Sequence, residues 1–189
     1  LEIEKGDKVA VSYTGSYPGA NLSVLSALET LGINSVIISS CGSSEYGATH
    51  PEITWIDMER HLSKSNIFSN TSTLASIGGG FDLGTQLGSL GKKVCESSIY
   101  NKGLELLNIG NPTNNIRSRM NHYQNGKGDI ALFINVGGGI YSTGDSLKRS
   151  NTPAGIIYPG DITSSTDGSV IERFLEKDIP VININHINI

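Results

Sequence analysis

Positive charge is scarce in this sequence. Its 14 lysine and arginine residues are outnumbered by 18 acidic residues, so the net charge is −4. The only adjacent basic pairs are Lys92 with Lys93 and Lys148 with Arg149. Nucleic-acid-binding domains usually carry a basic face or stripe, and this pattern does not predict one. We therefore expect no nucleic acid among the partners of this protein.

Cysteines and long apolar runs are also rare. Cys41 and Cys95 allow one disulfide or two free thiols, and so small a number does not indicate a compartment. No apolar run approaches the roughly 20 residues that a membrane-spanning helix needs. Because hydrophobic residues make up 37% of the 189 residues, we predict one domain, residues 1–189, large enough to have its own core.

The usual motifs of cofactor and metal sites are missing as well. The nearest approach to a dinucleotide-binding G-x-G-x-x-G pattern begins at Gly137 and ends in Ser142, and there is no G-K-S/T phosphate loop. No His-Glu-x-x-His or Cys-x-x-Cys spacing occurs. We therefore expect neither a cofactor nor a metal. The four histidines are scattered along the chain, at His50, His61, His122 and His186.

What the sequence does contain is a regular alternation of strand-like and helix-like segments. Repeated strand–helix units imply right-handed crossovers and a mostly parallel sheet with helices on both faces. We predict a three-layer, doubly wound α/β fold, Rossmann-like or flavodoxin-like, with residues 130–134 as its central strand. The predicted strands are 8–13, 35–39, 71–77, 104–109, 130–134 and 181–185, with a short one at 156–158.

The same periodicity predicts the core and the helix ends. Thr49 and Glu52 have the spacing of a capping box at the start of the second helix. On that helix, we expect Trp55 to pack with Met58 and Leu62 rather than to form a ligand cage. The residues predicted to be nearly fully buried are Leu25, Leu28, Val36, Ile38, Leu132 and Ile134.

Two strands run directly into glycine triplets. The apolar run 130–134 is followed by Asn135 and then by residues 137–139, and the run 71–77 by residues 78–80 and Asp82. Glycines let the backbone turn sharply and leave its N–H groups open to an incoming group. One triplet alone is equally compatible with a tight turn that binds nothing, but two in one domain favour a binding loop.

The carboxyl ends of parallel strands share one edge of the sheet, and ligands commonly bind there. We therefore expect the loops 14–19, 39–44, 78–82 and 135–139 to converge. Backbone N–H groups and serine hydroxyls at this edge favour an anion or a carboxylate. Asp82 is the exception, because it would repel an anion unless it holds a cation or an amine.

Nucleophilic catalysis is the alternative at the same edge. Its candidate nucleophiles are the serines and Cys41, although no G-x-S-x-G elbow is present. A serine nucleophile needs a base within hydrogen-bond reach, and by topology only His50, Asp82 and His186 qualify. The candidate serines are Ser16, Ser40, Ser43 and Ser44.

Several strings of residues occur in an order and spacing that resemble the poly-gamma-glutamate system protein family, whose members accompany the enzymes that make and export poly-γ-glutamate in bacteria. The resemblance covers the chain from about Gly6 to the C-terminus. The strings are Gly-Asp-Lys-Val-Ala-Val from position 6, Gly-Ser-Tyr-Pro-Gly-Ala-Asn-Leu from 15, Ile-Ile-Ser-Ser-Cys-Gly-Ser-Ser from 37, Thr-Trp-Ile-Asp-Met-Glu from 54, and Asn-Val-Gly-Gly-Gly from 135.

The resemblance implies a pathway rather than a reaction. It implies an accessory protein of the cell envelope, outside the cytoplasm, with synthase components as possible partners. The family has a further N-terminal portion with a membrane-anchoring segment. Because this chain begins with Leu1 rather than Met, we expect it to be a fragment without that portion.

Two function classes follow. The first is a non-catalytic protein that binds a γ-glutamyl polymer or a small anion, and we favour it because it needs only loops and hydroxyls. The second is a hydrolase or transferase that acts on γ-glutamyl amide bonds. Where the family leads us to expect an acid before Pro51, this chain has His50, which leaves Ser44, Asp57, Asp82 and Asn135 as better positions. The candidate catalytic residues are Ser44 and Asp82, and the candidate ligand-binding residues are Ser16, Ser40, Ser43, Ser44, Gly79, Gly80, Asp82, Asn135, Gly137 and Gly138.

Overall fold

The computed structural model describes residues 1–43, 50–162 and 168–185. Strands and helices alternate along these residues almost from end to end. The strands are Lys8–Tyr13 (β1), Asn34–Ser40 (β2), Ser72–Ser76 (β3), Glu105–Leu106 (β4), Ile130–Val136 (β5), Gly155–Ile157 (β6) and Val181–Ile184 (β7). The helices are Pro18–Leu31 (α1), Trp55–Lys64 (α2), Gly88–Lys102 (α3), Pro112–Gln124 (α4), Ile140–Thr143 (α5), Ser146–Asn151 (α6) and Val170–Leu175 (α7).

The strands form one sheet in the order β4-β3-β2-β1-β5-β7-β6. Every neighbouring pair is parallel except β6 with β7, which is antiparallel. The predicted α/β fold with a mostly parallel sheet is therefore confirmed. The predicted central strand, β5, is an interior strand beside β1, which lies in the middle of the sheet. Strand order reverses between β1 and β5, so this position is the topological switch point of the sheet.

Helices cover both faces of the sheet. Apolar side chains of α1, α2 and α3 pack on one face in a cluster with alternate residues of β1 and β5. Those of α4, α5 and α7 pack on the other face, around Phe133 of β5. This arrangement is the three-layer architecture that the alternation predicted. On the first face Trp55 is fully buried and meets Tyr13 edge-to-face at 5.5 Å, so its predicted role in packing is confirmed.

Two predictions about the core and the caps are wrong. Val36 is only half-buried, because it lines a depression of about 420 Å³ at the amino end of the strands. Helix α2 does not begin at the predicted box of Thr49 and Glu52, of which Thr49 lies outside the described residues. Its capping box is formed by Thr54 and Asp57, since the Thr54 hydroxyl accepts from the Asp57 N–H and the Asp57 carboxylate accepts from the Thr54 N–H. The remaining predicted core residues, Leu25, Leu28, Ile38, Leu132 and Ile134, are buried.

The long connection after β5 contains two short helices, α5 and α6, besides the short strand that the sequence suggested. Helix α5 begins directly after the second glycine triplet and covers the carboxyl ends of β1 and β5. None of the described helices combines the length and the apolar character that crossing a membrane requires.

Candidate functional site

A small polar cavity lies at the switch point of the sheet, just beyond the carboxyl ends of β1 and β5. Its volume is about 10 Å³, which is room for about one water molecule. The carboxyl ends of β1, β2 and β5 and the loops after β1, β3 and β5 contribute to it, at the edge where the parallel topology led us to expect a site. Among the lining residues are Ser12, Ser40 and Asn135 at the ends of their strands, Thr14, Asp82 and Gly139 in the loops that follow β1, β3 and β5, Arg119 from α4 and Ser142 from α5.

A buried ion pair forms one side of this cavity. The guanidinium of Arg119, only 3% exposed, pairs with the carboxylate of Asp82. The other Asp82 oxygen, Oδ1, accepts a hydrogen bond of 2.8 Å from the hydroxyl of Ser76. Both oxygens of Asp82 are thus engaged, and its charge is balanced by Arg119. The repulsion of an anion that Asp82 alone would cause is therefore largely cancelled.

Arg119 is the residue that sequence reasoning missed. It lies three residues after Ile116 and four before Tyr123, so it shares the buried face of α4 with them. Its Nε donates to the Asn115 side-chain oxygen at 2.9 Å, which fixes the orientation of the guanidinium. The helical spacing therefore indicated that Arg119 lies on the buried face of α4. A charged residue at such a position is nevertheless normally assigned to the surface.

Hydroxyl groups form the opposite side of the cavity and hold α5 against the sheet. The hydroxyls of Ser12 and Ser142 lie 2.9 Å apart in a hydrogen bond. The hydroxyl of Tyr141 donates to the backbone carbonyls of Phe81 and Gly110, at 3.1 and 3.3 Å. Burial raises the pKa of Tyr141, so its phenol stays neutral and remains a donor at physiological pH.

Asn135, which lines the cavity, has a buried polar atom without a hydrogen-bond partner among the described residues. Its Nδ2 donates to the Gly137 carbonyl at 2.7 Å and to the Asn183 side-chain oxygen at 2.8 Å, which sets the orientation of the amide. Its Oδ1 has no hydrogen-bond partner among the described residues, although the residue is only 1% exposed. Since a buried carbonyl oxygen without a partner is costly, this atom points to a bound donor.

The glycines after β5 serve mainly to let loops approach one another. Gly137 has φ of +90°, and a Cβ there would lie 2.2 Å from Cγ2 of Thr14 in the loop after β1. In the same way, a Cβ at Gly15 would lie 2.3 Å from the carbonyl oxygen of Cys41. Convergence of these loops therefore requires glycine even before any ligand is considered.

The structure brings together only some of the predicted site residues. Ser40, Asp82 and Asn135 line the cavity. Ser44 lies outside the described residues, and so does His186. The other predicted ligand-binding residues lie in the surrounding loops without lining it, namely Ser16, Ser43, Gly79, Gly80, Gly137 and Gly138.

The contacts of Ser40, Cys41 and His50 are structural rather than those of a nucleophile and its base. Ser40 bonds to Ser76, which bonds in turn to Asp82, and both oxygens of that carboxylate are already engaged. Cys41 is buried and free, and its hydrogen bond with Cys95, together with burial, raises the pKa of its thiol. His50 is exposed, and its Nδ1 accepts from the N–H of Glu52 in its own loop.

Asp57, another candidate acid, has a structural role. Its carboxylate accepts from the hydroxyl of Thr54 at 2.7 Å and from that of Ser98 at 2.8 Å. These bonds join the start of α2 to α3 in the interior, on the face of the sheet opposite to the cavity. In the described part of the chain, no three acidic, histidine or cysteine side chains come together as metal ligands would.

Comparison of the chain with protein-family models, with curated proteins and with solved structures finds no significant match. The resemblance described from the sequence strings therefore stays a prediction.

Proposed function

We propose that this protein is a non-catalytic accessory protein of bacterial poly-γ-glutamate synthesis or export, located at the cell envelope, and that it binds a γ-glutamyl chain at the carboxyl edge of its sheet. The pathway part of this proposal rests on the resemblance of the sequence strings. The binding part rests on the buried, unpartnered Oδ1 of Asn135 at the topological switch point.

The chemistry of the cavity decides which group of the chain enters it. The unpartnered atom of Asn135 is an acceptor, so the group that bonds to it is a hydrogen-bond donor rather than a carboxylate. The buried hydroxyl of Tyr13, which also lines the cavity and has no partner among the described residues, can donate or accept. A γ-glutamyl chain has two such donors, the terminal ammonium and the amide N–H. The ammonium is close to a water molecule in size and can occupy the cavity, whereas an amide N–H can only reach into it from the mouth. A small free anion, the other ligand considered from the sequence, suits the Asn135 acceptor poorly.

A binding role fits the cavity better than catalysis does. The hydroxyls of Ser12 and Ser142 bond to each other, and Asp82 is held by Arg119 and Ser76. These contacts build a rigid polar surface and leave no activated nucleophile among these residues.

Calorimetric titration with a γ-glutamyl dipeptide tests the proposal. We expect Ser142→Thr to abolish binding, because it adds one methyl group to a cavity of one-water size while it keeps the hydroxyl. Ser142→Ala, which keeps the space, serves as the matched control and should still bind. Equal binding by wild type and Ser142→Thr, with both folded by circular dichroism, would show that the cavity is not the site.

The N-acetylated dipeptide identifies the donor. If the terminal ammonium enters the cavity, acetylation removes the heat of binding; if an amide N–H enters, the acetylated dipeptide binds as well as the free one. Absence of heat with both peptides at millimolar concentration would contradict the proposal.

A further inference from the structure

An open groove adjoins the edge cavity on the outer side of α5. Its volume is about 840 Å³, and it runs between α4 on one side and α5, α6 and α7 on the other. Ile140 and Tyr141 of α5 line both the cavity and the groove, so the two spaces are neighbours. The groove has an apolar part made of Phe81, Ile116, Met120 and Ile140.

Phe81 is unusual in backbone and in exposure. It has φ of +52°, in the left-handed region that side chains other than glycine, asparagine and aspartate rarely adopt, and Asp82 follows with φ of +61°. Its ring is nevertheless 53% exposed at the groove. A strained backbone that displays an aromatic ring to solvent is characteristic of ligand sites.

The charge of the groove is opposite to that of the whole protein. Four basic side chains line it, Arg117, Lys148, Arg173 and Lys177, against two acidic ones, Asp145 and Glu176. Glu176 pairs with Arg173 at 2.8 Å, so these two charges offset each other, and Asp145 caps α6. Four positive charges against two negative charges leave an excess of two. In a protein of net charge −4, this local excess of positive charge attracts anions to one place.

We propose that the groove binds the body of an extended polymer that carries repeated carboxylates on an apolar, methylene-containing backbone. Guanidinium and ammonium groups pair with carboxylates through charge-assisted hydrogen bonds, and the apolar part suits the methylenes. Polyphosphates such as nucleic acids call for a denser basic surface than four side chains. The inference rests on the proposed function, which supplies the class of polymer and places the end of the chain in the edge cavity.

The test measures how the affinity depends on the length of the ligand and on the charge of the groove. A γ-glutamyl decamer and a γ-glutamyl dipeptide are titrated at low and at moderate salt into wild type and two double variants. Arg117→Glu/Lys177→Glu reverses two exposed charges of the groove. The control, Lys64→Glu/Lys93→Glu, reverses two exposed charges on α2 and α3, outside the groove. It has the same net charge as the groove variant.

We expect the decamer to bind wild type more tightly than the dipeptide does. The affinity for the decamer should fall as the salt concentration rises. The groove variant should lose about tenfold or more in affinity for the decamer, whereas the control should stay within about twofold of wild type. An equal loss in both variants would mean that only total charge matters, and this would overturn the proposal. If a single-stranded oligonucleotide bound as tightly as the γ-glutamyl decamer, the conclusion that the groove prefers carboxylates would be overturned.

The two proposals fail in different ways. If the dipeptide binds but the decamer binds no more tightly, the groove is not used and the edge site stands. If the decamer binds and responds to the groove variant while the dipeptide gives no heat and Ser142→Thr has no effect, the groove stands and the edge site is wrong. An α-linked glutamate decamer has no methylene groups in its main chain, so if it binds as well as the γ-linked one, the assignment of backbone methylenes to the apolar part of the groove is overturned.

Discussion

Arg119 and Asp82 form a buried ion pair on which the packing at the carboxyl edge depends. Each is surrounded by protein, and the Ser76 hydroxyl contacts both, donating to Asp82 and accepting from Arg119 Nη2 at 3.2 Å. Removal of one partner of a buried pair leaves the other charge without compensation, which costs more than the pair itself contributes. The pair therefore explains why α4 must lie where it does.

We expect Asp82→Asn to lower the free energy of unfolding by about 3–5 kcal/mol, because it leaves the Arg119 guanidinium buried without a counter-charge. Urea denaturation followed by circular dichroism measures this loss. The double variant Asp82→Asn/Arg119→Met, which removes both charges, should cost less than the sum of the single variants. Additive losses would show that the two charges do not depend on each other.

Glu29, near the end of α1, makes stability depend on pH. The Ser69 hydroxyl donates to it at 2.7 Å and the Asn70 amide at 2.9 Å. The hydrogen bond from the Ser69 hydroxyl is the largest cause of a lowered pKa, burial opposes it, and the hydrogen bonds from Asn70 and the backbone add to it. Together they lower the pKa of Glu29 from 4.5 to about 2. The depressed pKa means that the ionised carboxylate stabilises the folded state above pH 4.5, and that this contribution is lost as the pH falls through about 2.

The variant Glu29→Gln tests this dependence, since it keeps the side-chain shape and one acceptor oxygen. The difference in free energy of unfolding between wild type and variant should be largest above pH 4.5 and should shrink as the pH approaches about 2. Equilibrium denaturation over this range measures it. A difference that stays constant with pH would contradict the role of the Glu29 charge.

At the scale of elements, the loop after β5 depends on two adjacent glycines in different ways. Gly137 adopts φ of +90° and faces Thr14 without room for a Cβ, whereas Gly138 is outside the left-handed region. A Cβ at Gly138 would meet only the flexible side chain of Arg149, at 2.9 Å from Cδ. Only the first of these glycines is therefore required by the fold.

We expect Gly137→Ala to destabilise the protein by about 1–2 kcal/mol from the backbone alone, and by more through the contact with Thr14. Gly138→Ala should stay within about 0.5 kcal/mol of wild type, because Arg149 can move away. Thermal and urea unfolding of the two variants, measured side by side with wild type, give the change in the free energy of unfolding for each. If both substitutions cost the same, the positive φ of Gly137 does not determine the loop.

The sequence predicts elements best where local signals are strong. Helices α1 and α3 end at Gly32 and Gly103, both left-handed caps, and β1 has the predicted bounds. The short helices α5 and α6 were missed because four to six residues cannot show a helical period. The start of α2 was misplaced because two capping-box patterns lie five residues apart, and packing of Trp55 favours the second.

The position of the cavity could be predicted from the sequence, but the contacts inside it could not. The rule that ligands bind beyond the carboxyl ends of parallel strands led to the edge where the cavity lies and to three residues that line it, Ser40, Asp82 and Asn135. The pairing of Asp82 with Arg119, and the unpartnered oxygen of Asn135, depend on side-chain directions across three elements. No spacing in the sequence encodes these directions.

At the scale of the whole molecule, the sheet is unevenly protected. Strands β1 and β5 are hydrogen-bonded on both sides and covered by helices on both faces. The edge strands β4 and β6 contain two and three residues and are bonded on one side only. Local opening should therefore be easy at the edges and nearly as costly as global unfolding in the middle.

Native-state hydrogen exchange should show this gradient. We expect the amides of β1 and β5 to exchange only through global unfolding, with free energies of opening equal to the stability measured by denaturant. Those of β4 and β6 should exchange through local opening at lower free energy. Uniform protection across the sheet would mean that it opens as one unit.

The position of β1 also has a consequence for synthesis on the ribosome. Of the seven described strands β1 is made first, yet one of its two partners, β5, is encoded after β2, β3 and β4. Until Ile130–Val136 has emerged, one edge of β1 is open, and of the helices that cover one of its faces only α4 has been made, since α5 and α7 follow β5. Long-range parallel pairing is slow, and unpaired strand edges are prone to aggregate. A nascent chain stalled before β5 would therefore be a natural target for chaperones that bind exposed apolar strands.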